Sequence, residues 1–223
     1  MADVAVIFDM DGVIVHTNPY HKTAIREFCG AHNIQLNELM LQNKVYGRTN
    51  RDWLTNVFGE IDQEILEAYA YEKEELFRKI YEPHVKPLEG LREFLELLVT
   101  NNVPRAIATS APPENVDFIL DKTGLRKFFP ITLDDRMVTH GKPNPEIYLK
   151  AAKALGLPNN KCIVIEDSIS GVTAGRKAGS KVIGVTTTHS PEELKETNYV
   201  IQDFTGLEVS TLQEILTQQV QAH

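Results

Sequence analysis

An α/β protein is predicted, with a doubly wound parallel sheet and an all-helical domain inserted after its first strand. Three observations carry that expectation. Four short runs rich in Val and Ile, at 4–8, 104–109, 161–166 and 181–186, are apolar almost throughout, as strands covered on both faces must be. Amphipathic helical patterns separate the later runs, so strand and helix alternate in the Rossmann-like manner. Residues 16–83 break that rhythm, with helical periodicity and no strand.

The first strand, VAVIF at 4–8, runs straight into Asp9, Met10, Asp11 and Gly12. Four helical patterns follow, at about 19–31, 35–43, 50–58 and 62–81. The longest places Ile65, Leu66, Tyr69, Leu76, Phe77 and Ile80 near one side, and its acidic residues read as a solvated face. The chain returns to the sheet through a helix at 88–101, with Leu91, Phe94, Leu95 and Leu98 on one face. PRAIAT at 104–109 is the second strand, and helices follow at 114–122 and 145–155. After KCIVIE at 161–166, a helix of small residues at 170–178 stops at Gly179, ahead of the strand at 181–186. These boundaries assign 1–15 and 84–223 to the sheet domain and 16–83 to the helical insert.

The 223 residues suit one domain carrying a sizeable insertion. Acidic residues outnumber basic ones 31 to 23, for a formal charge of −8, and no stripe of Lys and Arg is present to neutralise a phosphate backbone. Nucleic acid is therefore not an expected partner. Cys29 and Cys162 stand far apart and read as free thiols in a reducing compartment. No apolar run approaches the length of a membrane span, and the N-terminus lacks the succession of a signal peptide. The expected protein is cytoplasmic, without a membrane partner, and a monomer or weak homo-oligomer.

Polar groups gather where the strands end. Asp9 and Asp11 follow the first run, Ser110 and Ala111 the second, and Glu166, Asp167 and Ser168 the third, while Lys142 lies in GKPNP between them. Ligands of open α/β sheets bind outside the carboxyl ends of the strands. Gly12 permits a sharp turn after the two aspartates. Crowded carboxylates raise one another's pKa unless a cation compensates. Magnesium is the obvious one, since it prefers oxygen ligands and commonly links one or two carboxylates to a substrate phosphate. Lys142 and the Ser110 hydroxyl would hold the remaining phosphoryl oxygens, and one aspartate would be free to attack and form an aspartyl phosphate. Each residue also has a plainer use. Ser110 could cap the helix near Glu114, Asp167 or Ser168 the helix near Ser170, and Lys142 could be an ordinary loop lysine.

In this order, FDMDGV, the strand ending at Thr109 and Ser110, Lys142 in GKPNPEIY, and IEDSISGVTAGRKAG resemble the four motifs of the haloacid dehalogenase superfamily of phosphohydrolases. The resemblance covers essentially the whole chain. It implies that Asp9 attacks phosphorus, that Asp11 protonates the leaving group and later activates water, and that Ser110 and Lys142 hold the phosphoryl group. It also implies magnesium bound by Asp9, the Asp11 carbonyl and Asp167, with Glu166 close by. The acid/base aspartate two positions after the nucleophile points to phosphatases and phosphomutases rather than dehalogenases.

The insert is similar to the cap domain of that superfamily, in its β-phosphoglucomutase-like branch. The substrate-contacting positions so implied are Thr17, His21 and Lys73, Gly47 and Thr49 in YGRTNRDWL, and Ala111 beside Ser110. Two positions depart from the branch: His16 stands for its usual Asp, and Asn50 for an arginine that grips a distal phosphate. Arg48 and Arg51 are the candidates to replace that grip. His21 sits beside the apolar face of its helix, where packing is an equal alternative, and Trp53 reads as core of the insert. The function expected is a magnesium-dependent phosphatase or phosphotransferase of a small phosphorylated metabolite, most simply a sugar phosphate. A β-phosphoglucomutase is the first alternative, and a phosphate-binding module without turnover the second.

Overall fold

The structure is a computed structural model and describes residues 4–45 and 48–217. Its contacts divide the chain into two compact units, one of residues up to His16 and from Lys86 onward, the other Thr17–Val85.

The first unit is built on six parallel strands among the described residues: β1 (Ala5–Phe8), β2 (Arg105–Ala108), β3 (Thr132–Leu133), β4 (Cys162–Glu166), β5 (Lys181–Val185) and β6 (Tyr199–Ile201). Their spatial order is β3-β2-β1-β4-β5-β6. The chain moves outward from β1 to β3 and then crosses back to β4, so the order reverses between β1 and β4. The register pairs Ile7 with Val164 and Phe8 with Ile165, which sets Asp9 beside Glu166 at the strand ends.

Alternation along the strands decides which residues meet. Ala5 and Ile7 of β1, with Cys162 and Val164 of β4, bury themselves against Ile147, Tyr148 and Ala151 of α7 (Glu146–Leu155) and Val172 and Ala174 of α8 (Ile169–Lys177). On the opposite face Phe8 packs with Phe94, Phe129 and Phe204 at ring-centroid distances of 5.5–6.3 Å. Phe94 belongs to α5 (Leu91–Thr100). Burying each such ring contributes about 1.5–3 kcal/mol. Both faces are covered, as an all-apolar strand requires.

The helical unit contains α1 (Asn18–Ala31), α2 (Glu38–Met40) continued by a π-helical turn (Leu41–Val45), α3 (Asn50–Phe58) and α4 (Gln63–Tyr81). Its core is Ile25, Phe28, Cys29, Leu41, Val45, Trp53, Leu54 and Leu66. Trp53 is core, as expected of it.

Three local expectations are corrected. The helix expected from residue 35 starts at Glu38, because the Asn37 side chain accepts the Met40 amide at 2.9 Å and caps it there. The helix expected from residue 88 starts at Leu91, after Gly90 turns the backbone at φ 71°. The polar side of α4 is not wholly solvated, because Lys73 and Glu74 are both buried. Among the described residues no helix is long and apolar enough to cross a membrane.

Candidate active site

Asp9 continues the alternation of Ala5 and Ile7, and Glu166 that of Cys162 and Val164, so both carboxylates turn to the face that α7 covers. The Asp9 amide extends the ladder to the Ile165 carbonyl at 3.0 Å. Beyond Asp9 the chain turns sharply: the Met10 carbonyl accepts the amides of Val13, Ile14 and Val15, and Gly12 sits at φ 77°. A side chain there would be strained, which explains the glycine. Asp11 is half-buried in this turn.

Lys142 joins three strand ends. Its ammonium donates to Asp9 Oδ1 at 2.5 Å, Glu166 Oε1 at 2.8 Å and the Ala108 carbonyl of β2 at 3.3 Å, and its side chain is 6% exposed. The ordinary-loop-lysine alternative is thereby corrected: the side chain turns inward to buried carboxylates. The preceding loop is pinned from α7, since the Glu146 carboxylate accepts the amides of Thr139 at 3.1 Å and His140 at 2.9 Å.

Glu166 is fully buried and fully bonded. Oε1 accepts Lys142 and the Tyr148 hydroxyl, each at 2.8 Å, while Oε2 accepts the Asp167 amide, the Ser168 amide and the Ser168 hydroxyl, each at 2.9 Å. Ser168 Oγ also accepts the Gly171 amide at 3.1 Å, so Ser168 rather than Asp167 caps α8. Asp167 accepts the hydroxyl of Thr188, while Thr187 donates to the Gly12 carbonyl at 2.5 Å. Carboxylate oxygens of Asp9, Glu166 and Asp167 lie within 4.8 Å of one another. Ser110 is exposed just past β2, and it does not cap α6 (Pro113–Thr123), whose cap position is Pro112. Ala111 is buried beside it, its amide donating to Thr109 Oγ1 at 3.1 Å.

Burial penalises the Lys142 ammonium, but Asp9 and Glu166 outweigh it and hold its pKa well above an ordinary lysine's. Burial also works to raise Glu166, which Lys142 and the hydrogen bonds around it nevertheless keep low. Lys142 and Glu166 thus form the matched pair. Asp9 is pushed well up by burial, with Glu166, Asp167 and Asp11 adding to it against the pull of Lys142. Asp167 is pushed up to about 7, by burial first and then by Glu166. Three buried carboxylates face one ammonium, so the cluster brings together more acidic groups than Lys142 alone can balance. A hard divalent cation fits that donor set in charge and in kind.

Gly171 is a requirement of this packing, because a Cβ built there falls inside the Glu166 carboxylate. Five hydrogen bonds hold that carboxylate, so it cannot move aside cheaply. Gly171→Ala is expected to displace Glu166, loosen Lys142 and lower kcat about 10²-fold. Steady-state kinetics check this, and turnover within twofold of wild type would show that the position of Glu166 is immaterial.

Thr188, Thr187 and Tyr148 are functional neighbours not singled out from the sequence. The run Thr186–Thr188 follows β5 as Asp167 follows β4, so the strand-end rule could have found it. Tyr148 carries a signal only once α7 is known to face Glu166.

In the helical unit a second polar cluster forms. Lys73 Nζ donates to Glu74 Oε1, which also accepts the Asn50 amide at 2.8 Å, and Asn50 Oδ1 accepts Trp53 Nε1 at 2.9 Å. His21 stacks on Phe77 at 3.6 Å between centroids, with Nδ1 4.0 Å from Glu74. Thr17 is fully buried at the start of α1. Arg48 donates to the Asn43 carbonyl at 2.9 Å and Arg51 to Gln63 at 2.5 Å, while Thr49 caps α3 through the Asp52 amide at 3.2 Å. Gly47 lies outside the described residues.

Burial would raise Glu74, but Lys73 first and then His21, helped by the Lys73 and Asn50 hydrogen bonds, bring it down to about 2. A carboxylate depressed below its unfolded value of about 4.3 stabilises fully above that pH and loses the contribution as pH falls towards 2. The stake is on the order of 3 kcal/mol. Glu74→Gln is expected to be less stable at pH 7 and to show a flatter acid limb below pH 4.3, measured by circular dichroism. An acid limb identical to wild type would refute this.

The sequence pattern shared by the haloacid dehalogenase-like hydrolases matches residues 4–179. A phosphorylated carbohydrates phosphatase from Thermotoga maritima is 32% identical over 183 residues, 81% of this chain and 84% of that protein. The crystal structure of a haloacid dehalogenase-type hydrolase of family IA, variant 3, from Entamoeba histolytica matches with a TM-score of 0.89 at 31% identity, covering 96% of this chain and 100% of that one. That of β-phosphoglucomutase from Clostridium difficile matches with a TM-score of 0.83 at 27% identity, covering 97% of each chain. With its parallel sheet, its buried carboxylates at the point where strand order reverses, and a family pattern running through most of its length, the chain belongs to the haloacid dehalogenase-like hydrolases.

Proposed function

We propose that the protein is a magnesium-dependent phosphatase of a small phosphorylated metabolite, with a sugar phosphate as the substrate class. The observation that carries this reading is the crowding of charge: the carboxylates of Asp9, Glu166 and Asp167, all buried, come within 4.8 Å of one another around the single ammonium of Lys142. The Thermotoga maritima relative's name supports the substrate class.

Asp9 and Asp167, with the Asp11 carbonyl, would hold the metal. Bound there, magnesium would offset the negative charge that otherwise keeps an anionic nucleophile from an anionic phosphoryl group. Asp9 attacks phosphorus, so that the Asp9 oxygen–phosphorus bond forms as the ester oxygen–phosphorus bond breaks. Asp11 gives its proton to the departing alcohol oxygen. It then takes a proton from the water that cleaves the aspartyl phosphate, and inorganic phosphate leaves. Lys142 and Ser110 hold the phosphoryl oxygens through both steps. Glu166, whose oxygens are already bonded, serves by fixing Lys142. Thr17, His21, Lys73 and Ala111 are the positions that the family resemblance implies for substrate selection.

A mutase reading draws support from the likeness to β-phosphoglucomutase. Against it, the Asn50 amide is spent on Trp53 and Glu74, and Arg48 and Arg51 are bonded within the helical unit, which favours a single phosphate over a bisphosphate. The test is a phosphate-release screen over phosphorylated metabolites, with and without chelator. Release from sugar monophosphates is expected, falling at least ~10²-fold on chelation and returning with added magnesium. Metal-independent release would remove the magnesium assignment. Isomerisation of hexose phosphates that needs glucose 1,6-bisphosphate and releases no phosphate would make the protein a mutase.

A further inference from the structure

We infer that Tyr148 is a positioning residue for Lys142, holding the ammonium at the shared edge of Asp9 and Glu166 through its hydroxyl and its ring. The inference rests on the reading above, in which Lys142 holds the phosphoryl group.

Tyr148 is fully buried in the apolar layer between α7 and the sheet, where a phenylalanine would pack equally well. Its hydroxyl is therefore the feature to explain. A buried hydroxyl needs a partner, and this one donates to Glu166 Oε1 at 2.8 Å, the same oxygen that accepts Lys142 at 2.8 Å. The ring lies under the ammonium, with Lys142 Nζ 4.8 Å from its centroid. That places the lysine within the range of a cation–π contact.

Both contacts act on one balance. The ammonium is shared between Asp9 at 2.5 Å and Glu166 at 2.8 Å, and it goes to whichever carboxylate carries more unsatisfied charge. The tyrosine hydroxyl satisfies part of Glu166 Oε1 and so weakens its hold on the lysine. Oε2 is saturated by three other donors and cannot adjust. Removing the hydroxyl leaves Lys142 as the one donor to Oε1 among the described residues, which draws the ammonium towards Glu166 and away from the attacking carboxylate. The ring, being attractive but without a lone pair, supports the ammonium from below without competing for its protons.

Tyr148→Phe isolates the hydroxyl. With p-nitrophenyl phosphate as the probe, kcat is expected to fall about tenfold, the scale of one hydrogen bond to a charged group, with KM changed less than twofold. In a Lys142→Met background the same replacement is expected to change kcat less than twofold, since a residue acting through the lysine has nothing left to position. A loss of equal factor in both backgrounds, or wild-type kcat in the single variant, would overturn the inference. A crystal structure of Tyr148→Phe decides it independently of activity. The Asp9 contact is expected to lengthen beyond the hydrogen-bond range of about 3.2 Å, and Lys142 bonded to both carboxylates as before would overturn the inference. Should the wild type release no phosphate from any substrate, the phosphatase reading fails while this structural comparison still decides the role of Tyr148.

Discussion

Asp9→Asn is expected to lower kcat by about 10⁴-fold or more while leaving the protein folded, the scale on which loss of an attacking group is felt. The amide keeps the shape of the carboxylate and can still accept from Lys142, so the sheet end stays packed. It cannot attack phosphorus. The stability consequence has the opposite sign from most replacements of buried residues, because active-site groups are assembled at a cost in stability. Asp9 carries a charge that burial and its acidic neighbours oppose, and the pKa is raised accordingly. Replacing it leaves two carboxylates against one ammonium, so the metal-free variant should melt no lower than wild type. Phosphate release and thermal melting in chelator measure the two effects together. Activity within tenfold of wild type would remove Asp9 as the nucleophile, and a large drop in melting temperature would refute the charge argument.

Lys142→Met is expected to have the next largest effect, on both function and stability. Methionine keeps much of the length and apolar stem and deletes the only cation in contact with Asp9 and Glu166 among the described residues. Breaking a buried pair by removing one partner costs about 3–5 kcal/mol, because the remaining charge is left uncompensated. Turnover should fall about 10³-fold for want of the group that holds the phosphoryl oxygens. Denaturant unfolding with and without magnesium reads the first, and the metal should recover more stability in the variant than in wild type. A variant as stable as wild type without magnesium would mean that the carboxylates do not depend on the lysine.

What the strand-end reading made legible is the position of polar groups at the strand ends and the parity of each strand. Asp9 and Glu166 continue alternations already visible in VAVIF and CIVIE, but their common face follows from the register that pairs Ile7 with Val164, which the sequence does not show. Lys142 was singled out as a phosphoryl-holding lysine, but its inward turn onto Asp9 and Glu166 was not legible, since nothing in GKPNP specifies it. β3 and β6 were missed because two and three residues offer no period to detect, and their pairing is imposed by neighbouring strands. Glu74 was misjudged because EKEEL along α4 looks like any solvated charge run. Its burial depends on Asn50 and His21, which come from other helices. Tyr148 and Thr188 act through partners distant in the chain, which periodicity cannot reveal.

Lys142 ties together groups that lie far apart along the chain, 133 residues from Asp9, 34 from Ala108 and 24 from Glu166. Closing loops of that length is entropically costly and comes late in assembly. A nascent or half-assembled polypeptide therefore has no reactive centre, however much secondary structure it has gained. The centre exists only once the ends of β1, β2 and β4 stand side by side, so any break in the register of the central strands disperses it.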